Sequence, residues 1–217
     1  MELFATYIHR FQIYDNDLVN KIITHIKEQQ ELDSCITADS YSVRGHGSFH
    51  SKDDLAELDT EWSKKLRALL YQVSCDYWNS MPNGAFSPLP PENECSIQCW
   101  GVVLNKGGIS QVHSHPCCKM AGVMWLDVPD RIGSNTKGKA HDEGLFCVRD
   151  PRPSAHMDIA VGGEVARIVP APMKGLVFPN WLDHYVQPHY SEEDRISIAW
   201  NTEWNLNNNL GSIKSNN

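Results

Sequence analysis

The chain has 217 residues, 41% of them hydrophobic, with 27 acidic against 19 basic side chains and a formal net charge of −8. That length suits one large β-rich domain with a real core. The charge is spread rather than blocked, and no lysine–arginine run is present to track a phosphate backbone, so the composition argues against nucleic-acid binding. The longest apolar stretches, such as 121–126, are too short to cross a bilayer, which argues against a membrane protein. Met1-Glu2-Leu3-Phe4 lacks the basic-then-apolar start of a signal peptide, and a cytoplasmic location is expected. The seven cysteines contain no C-x-x-C pair, so they read as reduced thiols rather than a zinc ribbon.

Taken in chain order, Leu3 to Ile8 reads as a short opening strand. Asn16 is placed to cap a helix whose apolar positions Leu18, Val19, Ile22, Ile23 and Ile26 recur at helical spacing. A longer helix follows, with Leu55, Leu58, Trp62, Leu66, Leu69, Val73 and Tyr77 stepping by three or four residues. Asp53 and Asp54 suit its first turn, and the breakers Met81-Pro82-Asn83-Gly84 suit its end. From about Glu94 short apolar runs replace helical periodicity. Cys95 to Leu104 and Ile109 to His115 flank Asn105-Lys106-Gly107-Gly108, which predicts a hairpin. Further strands are predicted at 121–128, 145–148, 159–161, 165–169, 176–178, 184–187 and 195–201, with a loop over 130–143 and a fraying tail over 205–217. About eight strands without intervening helices point to a mainly β fold. The expected form is an antiparallel double sheet of jelly-roll type, with the N-terminal helices packed outside. The division expected within this single domain is helical support over 1–93, β core over 94–202 and a flexible tail over 203–217.

Of ten histidines, three stand apart. His113 and His115, two residues apart on a predicted strand, point to one face of a sheet. They are answered 69 residues after His115 by His184, in a Gly/Pro/Trp-rich turn. Together the three read as ligands of one metal ion. His9, His25, His46, His50, His141, His156 and His189 read as ordinary surface or loop residues. Arg195 could be a surface residue pairing with Glu192 or Glu193. Yet alternation in Arg195-Ile196-Ser197-Ile198-Ala199-Trp200 puts Arg195 and Ser197 on one face, a charged fork and a hydroxyl suited to one carboxylate. Metal followed by arginine suggests a mononuclear iron site with a keto-acid cosubstrate beside it.

These residues carry a resemblance. His113-Ser114-His115-Pro116, Ala121-Gly122-Val123, Asp150-Pro151-Arg152, Phe178-Pro179-Asn180-Trp181-Leu182-Asp183-His184 and the run from Arg195 to Asn201 resemble motifs of a small family in the 2-oxoglutarate/Fe(II)-dependent oxygenase superfamily. Gly47-Ser48-Phe49-His50-Ser51 fits more loosely. The resemblance implies a double-stranded β-helix (jelly-roll) core binding Fe(II) and 2-oxoglutarate. His113, His115 and His184 would hold the metal and serve catalysis, and Arg195 with Ser197 would hold the cosubstrate's remote carboxylate. It also implies an oxidised, by default hydroxylated, small-molecule or peptide substrate with release of succinate and carbon dioxide. A homodimer is left open. His115 departs from the superfamily, where Asp or Glu usually stands, and Trp125 replaces a frequent tyrosine. Asp183, adjacent to His184, ranks below His115 as third ligand. Loops over 42–50, 130–143 and 150–158 are the expected substrate contacts.

Two other readings compete. A cupin-type dioxygenase or isomerase without 2-oxoglutarate shares the H-x-H start, but no acid follows the pair here, in Pro116 to Met120. A non-catalytic jelly-roll binding module explains the fold and leaves three histidines and Arg195 without a purpose.

Overall fold

Alternation along Arg195–Glu203 decides the architecture. Ile196, Ile198 and Trp200 enter one hydrophobic cluster, shared with helical residues, while Arg195, Ser197, Ala199 and Asn201 face a cavity on the other side. This strand, β10, lies inside a six-stranded sheet. The computed structural model of the chain describes residues 5–32, 48–81, 88–132, 143–152 and 165–204. Within them β1 (His9–Gln12), α1 (Asn16–Leu32), β2 (Ser48–His50), α2 (Glu61–Asn79), β3 (Ser96–Leu104), β4 (Ser110–His113) and β5 (Met120–Asp127) precede β6 (Phe146–Arg149), β7 (Val165–Ile168), β8 (Lys174–Pro179), β9 (His184–Val186) and β10. The large sheet runs β1-β8-β5-β10-β3-β2 and the smaller one β4-β9-β6-β7, with every ladder antiparallel. Two antiparallel sheets with a shared interior and helices on the outer face of the larger one make the jelly roll that the strand count predicts.

The core follows the two faces. Leu18, Val19, Ile22 and Ile26 of α1 and Leu66, Leu70 and Val73 of α2 pack on the outer face of the large sheet around Trp200. Gly101 of β3 makes room for α1, since a Cβ there would lie 2.5 Å from Ile26 Cγ1. Leu104, Val123, Trp125, Phe146, Val148, Leu176 and Phe178 fill the space between the sheets.

Several expectations need correction. The first described strand is His9–Gln12, placed by its pairing with Lys174–Val177 of β8; of the strand expected over Leu3–Ile8, residues 5–8 lie outside any strand and residues 3 and 4 lie outside the described residues. Asp15 rather than Asn16 caps α1, its Oδ1 accepting from Leu18 N at 3.1 Å. The second helix starts only at Glu61, where Thr60 Oγ1 accepts from Ser63 N. Asp53 and Asp54 lie outside it, because backbone bonds of Cys99 N to Asp53 O and Leu55 N to Cys99 O tie that stretch to β3. Leu55 is buried as the periodicity suggests, but from this sheet-bound approach.

The turn at Asn105–Gly108 exists, with Gly107 in the left-handed region at φ 76° and Gly108 N bonded to Asn105 O. It is not a hairpin: β3 and β4 belong to different sheets, and the turn carries the chain from one to the other. The predicted strand at 159–161, most of the loop over 130–143 and the tail over 205–217 lie outside the described residues.

Candidate metal and anion site

The two sheets meet the chemistry at β4 and β9. His113 and His184 are direct partners in that ladder, which sets their rings 4.2 Å apart between centroids. His115 arrives differently from the in-strand alternation expected of it. β4 ends at His113, and His115 lies in the following turn, its N–H donating to Asn180 O at 2.8 Å. Its ring stacks parallel to that of His184, interplanar angle 1°, with the two Nε2 atoms 3.3 Å apart. One ligand atom from each of the three imidazoles lies within 4.8 Å of the others. Nitrogens sharing adjacent positions on one ion, each about 2.1 Å from it, sit about 3 Å apart, so small side-chain adjustments would bring all three onto one centre.

Protonation favours that use. His113 Nδ1 lies 2.7 Å from Gln111 O and His184 Nδ1 lies 2.9 Å from Leu182 O. A carbonyl only accepts, so each Nδ1 carries the proton and each Nε2 keeps its lone pair. Burial, then the neighbouring His113, pushes the His115 imidazole down to about 4 and His184 down to about 3; burial also lowers His113. Near neutral pH all three rings are uncharged donors. Imidazoles of this kind suit iron, zinc, copper or nickel, and three on one side leave positions for other ligands.

The same cavity, about 520 Å³, is also lined by Arg195 and Ser197. Arg195 is 1% exposed, and neither its Nε nor its Nη2 has a hydrogen-bond partner among the described residues. The surface pairing with Glu192 or Glu193 does not form. Glu192 pairs with Lys106, and the neighbouring Asp194 pairs with Lys27. Burial draws the guanidinium down to about 10, still charged at neutral pH. A buried fork without a counter-ion is costly, and an anion in the cavity would relieve it. Val102, Val123, Phe146, Phe178 and Val186 supply apolar walls between Arg195 and the imidazoles. The residues therefore fit a divalent metal and a carboxylate-bearing ligand in one space.

Other candidates fall elsewhere. Asp183 is exposed, engages Arg149 N through its backbone carbonyl, and is not in the histidine group. Trp125 is buried against Phe146 in the interior instead of forming part of the cavity lining described here. Two histidines read as ordinary have definite places. His189 is fully buried, with Nε2 2.9 Å from Leu104 O. His50 lines the cavity from β2, an edge strand where a loop was expected. Trp100, Gln98 and Asn201 also line it. Their signal in the sequence was only alternation along β3 and β10 on the same face as Ser197.

Residues 98–201 match the family model described as "Putative 2OG-Fe(II) oxygenase". No curated protein matches the chain. Among solved structures, a Pseudomonas putida prolyl-4-hydroxylase is similar at 16% identity, covering 92% of this chain and 94% of that one with a TM-score of 0.61. A prolyl hydroxylase from Trichoplax adhaerens, in complex with a hypoxia inducible factor peptide fragment, is similar at 12% identity over 94% and 87% of the two chains, TM-score 0.60. HygX from Streptomyces hygroscopicus, with nickel, 2-oxoglutarate and hygromycin B bound, is similar at 11% identity over 93% and 84%, TM-score 0.59. At these identities the likeness is one of fold.

Proposed function

We propose that His113, His115 and His184 hold the iron of a 2OG-Fe(II) oxygenase and that Arg195 with Ser197 holds the far carboxylate of 2-oxoglutarate, a reading supported by the match of residues 98–201 to that family's model. The observation that carries the reading is the buried Arg195, its Nε and Nη2 without a partner among the described residues, in the cavity that the three imidazoles share. A cupin-type site has no need of such a cation. Iron and 2-oxoglutarate, when bound, would let dioxygen oxidise a substrate C–H bond, one oxygen atom going to the substrate and the other to the keto acid, which would leave as succinate and carbon dioxide.

The chain's own residues supply the rest. The three Nε2 lone pairs offer a neutral donor set, so the centre stays one charge more positive than with the usual carboxylate. Arg195 donates its fork to one end of the cosubstrate, and Ser197 adds a hydroxyl donor on the same face. Phe146, Phe178 and Val186 add apolar wall to the same cavity, a low-dielectric surround that strengthens each of these contacts. From the N-terminal half, α1 and α2 brace the outer face of the sheet that carries Arg195, and β1 and β2 extend that sheet at its two edges. Hydroxylation is the outcome we assign by default, on a small molecule or a peptide. Similar folds holding a peptide fragment and hygromycin B support that range. The six described cysteines are all free thiols, which supports a reducing, cytoplasmic setting.

The test is turnover. Protein loaded with Fe(II) should convert 2-oxoglutarate to succinate slowly without a prime substrate, and His115→Asp should retain iron binding. If both proteins bind iron and 2-oxoglutarate and only the aspartate variant yields succinate, the natural site binds without catalysing.

A further inference from the structure

Resting on that reading of the metal site, we propose that Asn201 is the positioning residue for His115, holding its imidazole with the proton on Nδ1 so that Nε2 faces the metal. The three imidazoles are not supported alike. His113 and His184 each give their Nδ1 proton to the carbonyl two residues earlier in the chain, Gln111 and Leu182. That local arrangement fixes both the tautomer and the ring plane.

His115 lacks such a carbonyl. It has left the strand, its N–H is spent on Asn180 O, and its own carbonyl accepts the Cys118 S–H at 3.4 Å. Yet its Nε2 is the atom that meets His184 Nε2, 3.3 Å away. Both nitrogens can turn lone pairs toward one cation only if the His115 proton sits on Nδ1. The bonds of its own turn supply no acceptor for that proton among the described residues, which leaves the role to a side chain from another element.

Asn201 is the side chain in place. It stands on the cavity face of β10, opposite Gln98 of β3 and Ala121 of β5, and lines the same cavity. Its amide is close enough to the His115 ring to favour the ring's protonated form. Its Oδ1 is buried, and no donor among the described residues makes a full hydrogen bond to it. An acceptor without a donor and a ring that must present one thus line the same cavity, and a hydrogen bond between them would satisfy both. Trp100, stacked against His115 with centroids 6.1 Å apart, restrains the ring's plane but cannot choose its tautomer. An arginine and an asparagine six residues apart on one strand therefore address the two halves of the site: Arg195 the anion, Asn201 the metal.

The experiment reads the proton directly. Long-range 1H–15N correlation spectra of metal-free protein should show His115 as the Nδ1–H tautomer, and Asn201→Ala should move it toward an Nε2–H or mixed form while His113 and His184 stay as they are. Asn201→Asp, which keeps an acceptor, should restore the Nδ1–H form. In parallel, Co(II) affinity should fall about 10–100-fold in Asn201→Ala, the range found when outer partners of metal-binding histidines are removed, and recover in Asn201→Asp. An unchanged His115 tautomer in Asn201→Ala would overturn the proposal, as would Nε2–H in the natural protein. The tautomer is measured without metal, so it stands apart from the metal reading. Failure of the natural protein to bind Co(II) would sink that reading whatever the spectra show. If Asn201→Ala does not fold, the natural protein and Asn201→Asp still decide: both must show Nδ1–H.

Discussion

Replacing Arg195 with leucine should separate what the residue costs the fold from what it does for a ligand. The guanidinium is 1% exposed, with Nε and Nη2 unpartnered, and burial draws it from 12.5 to about 10. That drop corresponds to about 3 kcal/mol of penalty on the charged form. Leucine removes the penalty and leaves some space unfilled, so ligand-free Arg195→Leu should be as stable as the natural protein, or up to about 3 kcal/mol more stable. The ligand tells the opposite story. A carboxylate losing its buried partner costs about 2–5 kcal/mol, so 2-oxoglutarate affinity should fall roughly 30- to 4,000-fold. Urea unfolding with Mn(II) present, with and without 2-oxoglutarate, measures both quantities. The natural protein should gain about 2.7 kcal/mol at a ligand concentration 100 times its Kd, and the variant at most about 0.9 kcal/mol at that same concentration. A variant clearly less stable without ligand, yet gaining the full amount from 2-oxoglutarate, would make Arg195 a structural brace and refute the reasoning.

Three further perturbations bear on the site and its support. His115→Ala should weaken metal retention in equilibrium dialysis far more than Asp183→Ala, and the reverse order would make Asp183 the third ligand. Gly122→Ala should destabilise the protein by about 1–3 kcal/mol in denaturant melts, because the new Cβ would lie 2.2 Å from Cζ2 of the buried Trp200 ring across the ladder; a neutral result would mean that the ring can shift. Thr60→Ala should cost about 0.5–2 kcal/mol through loss of the α2 cap, with Thr60→Ser largely neutral, and equal losses in both would point away from the Oγ1 bond to Ser63 N.

The gathering of the candidate site was legible in the sequence because it involves rare residues at fixed spacings. Three imidazoles and an arginine have few bland uses inside a β core, and the structure brings His113, His115, His184, Arg195 and Ser197 to one cavity. The strands were legible for the related reason that short apolar runs between turn residues have few alternatives. Partnership was not. Asn105-Lys106-Gly107-Gly108 specifies a reversal but not which sheet receives the next strand, a choice made by contacts far away in the chain. The start of α2 was misplaced because Leu55 is as buried as a helical core residue while its backbone is bound to β3, and periodicity sees only the burial. His189 was passed over because a histidine in a loop carries no mark of its partner, here the Leu104 carbonyl 85 residues away. Asn201 hid for the same reason: its role depends on where His115 ends up once it leaves the strand.

The most direct test of the account is anomalous scattering from crystals soaked with Fe(II) and an unreactive 2-oxoglutarate analogue. One iron peak should lie within about 2.0–2.3 Å of Nε2 of His113, His115 and His184, with the analogue's far carboxylate against Arg195 Nε and Nη2. Iron bound elsewhere, or a carboxylate that leaves Arg195 without a partner, would contradict it.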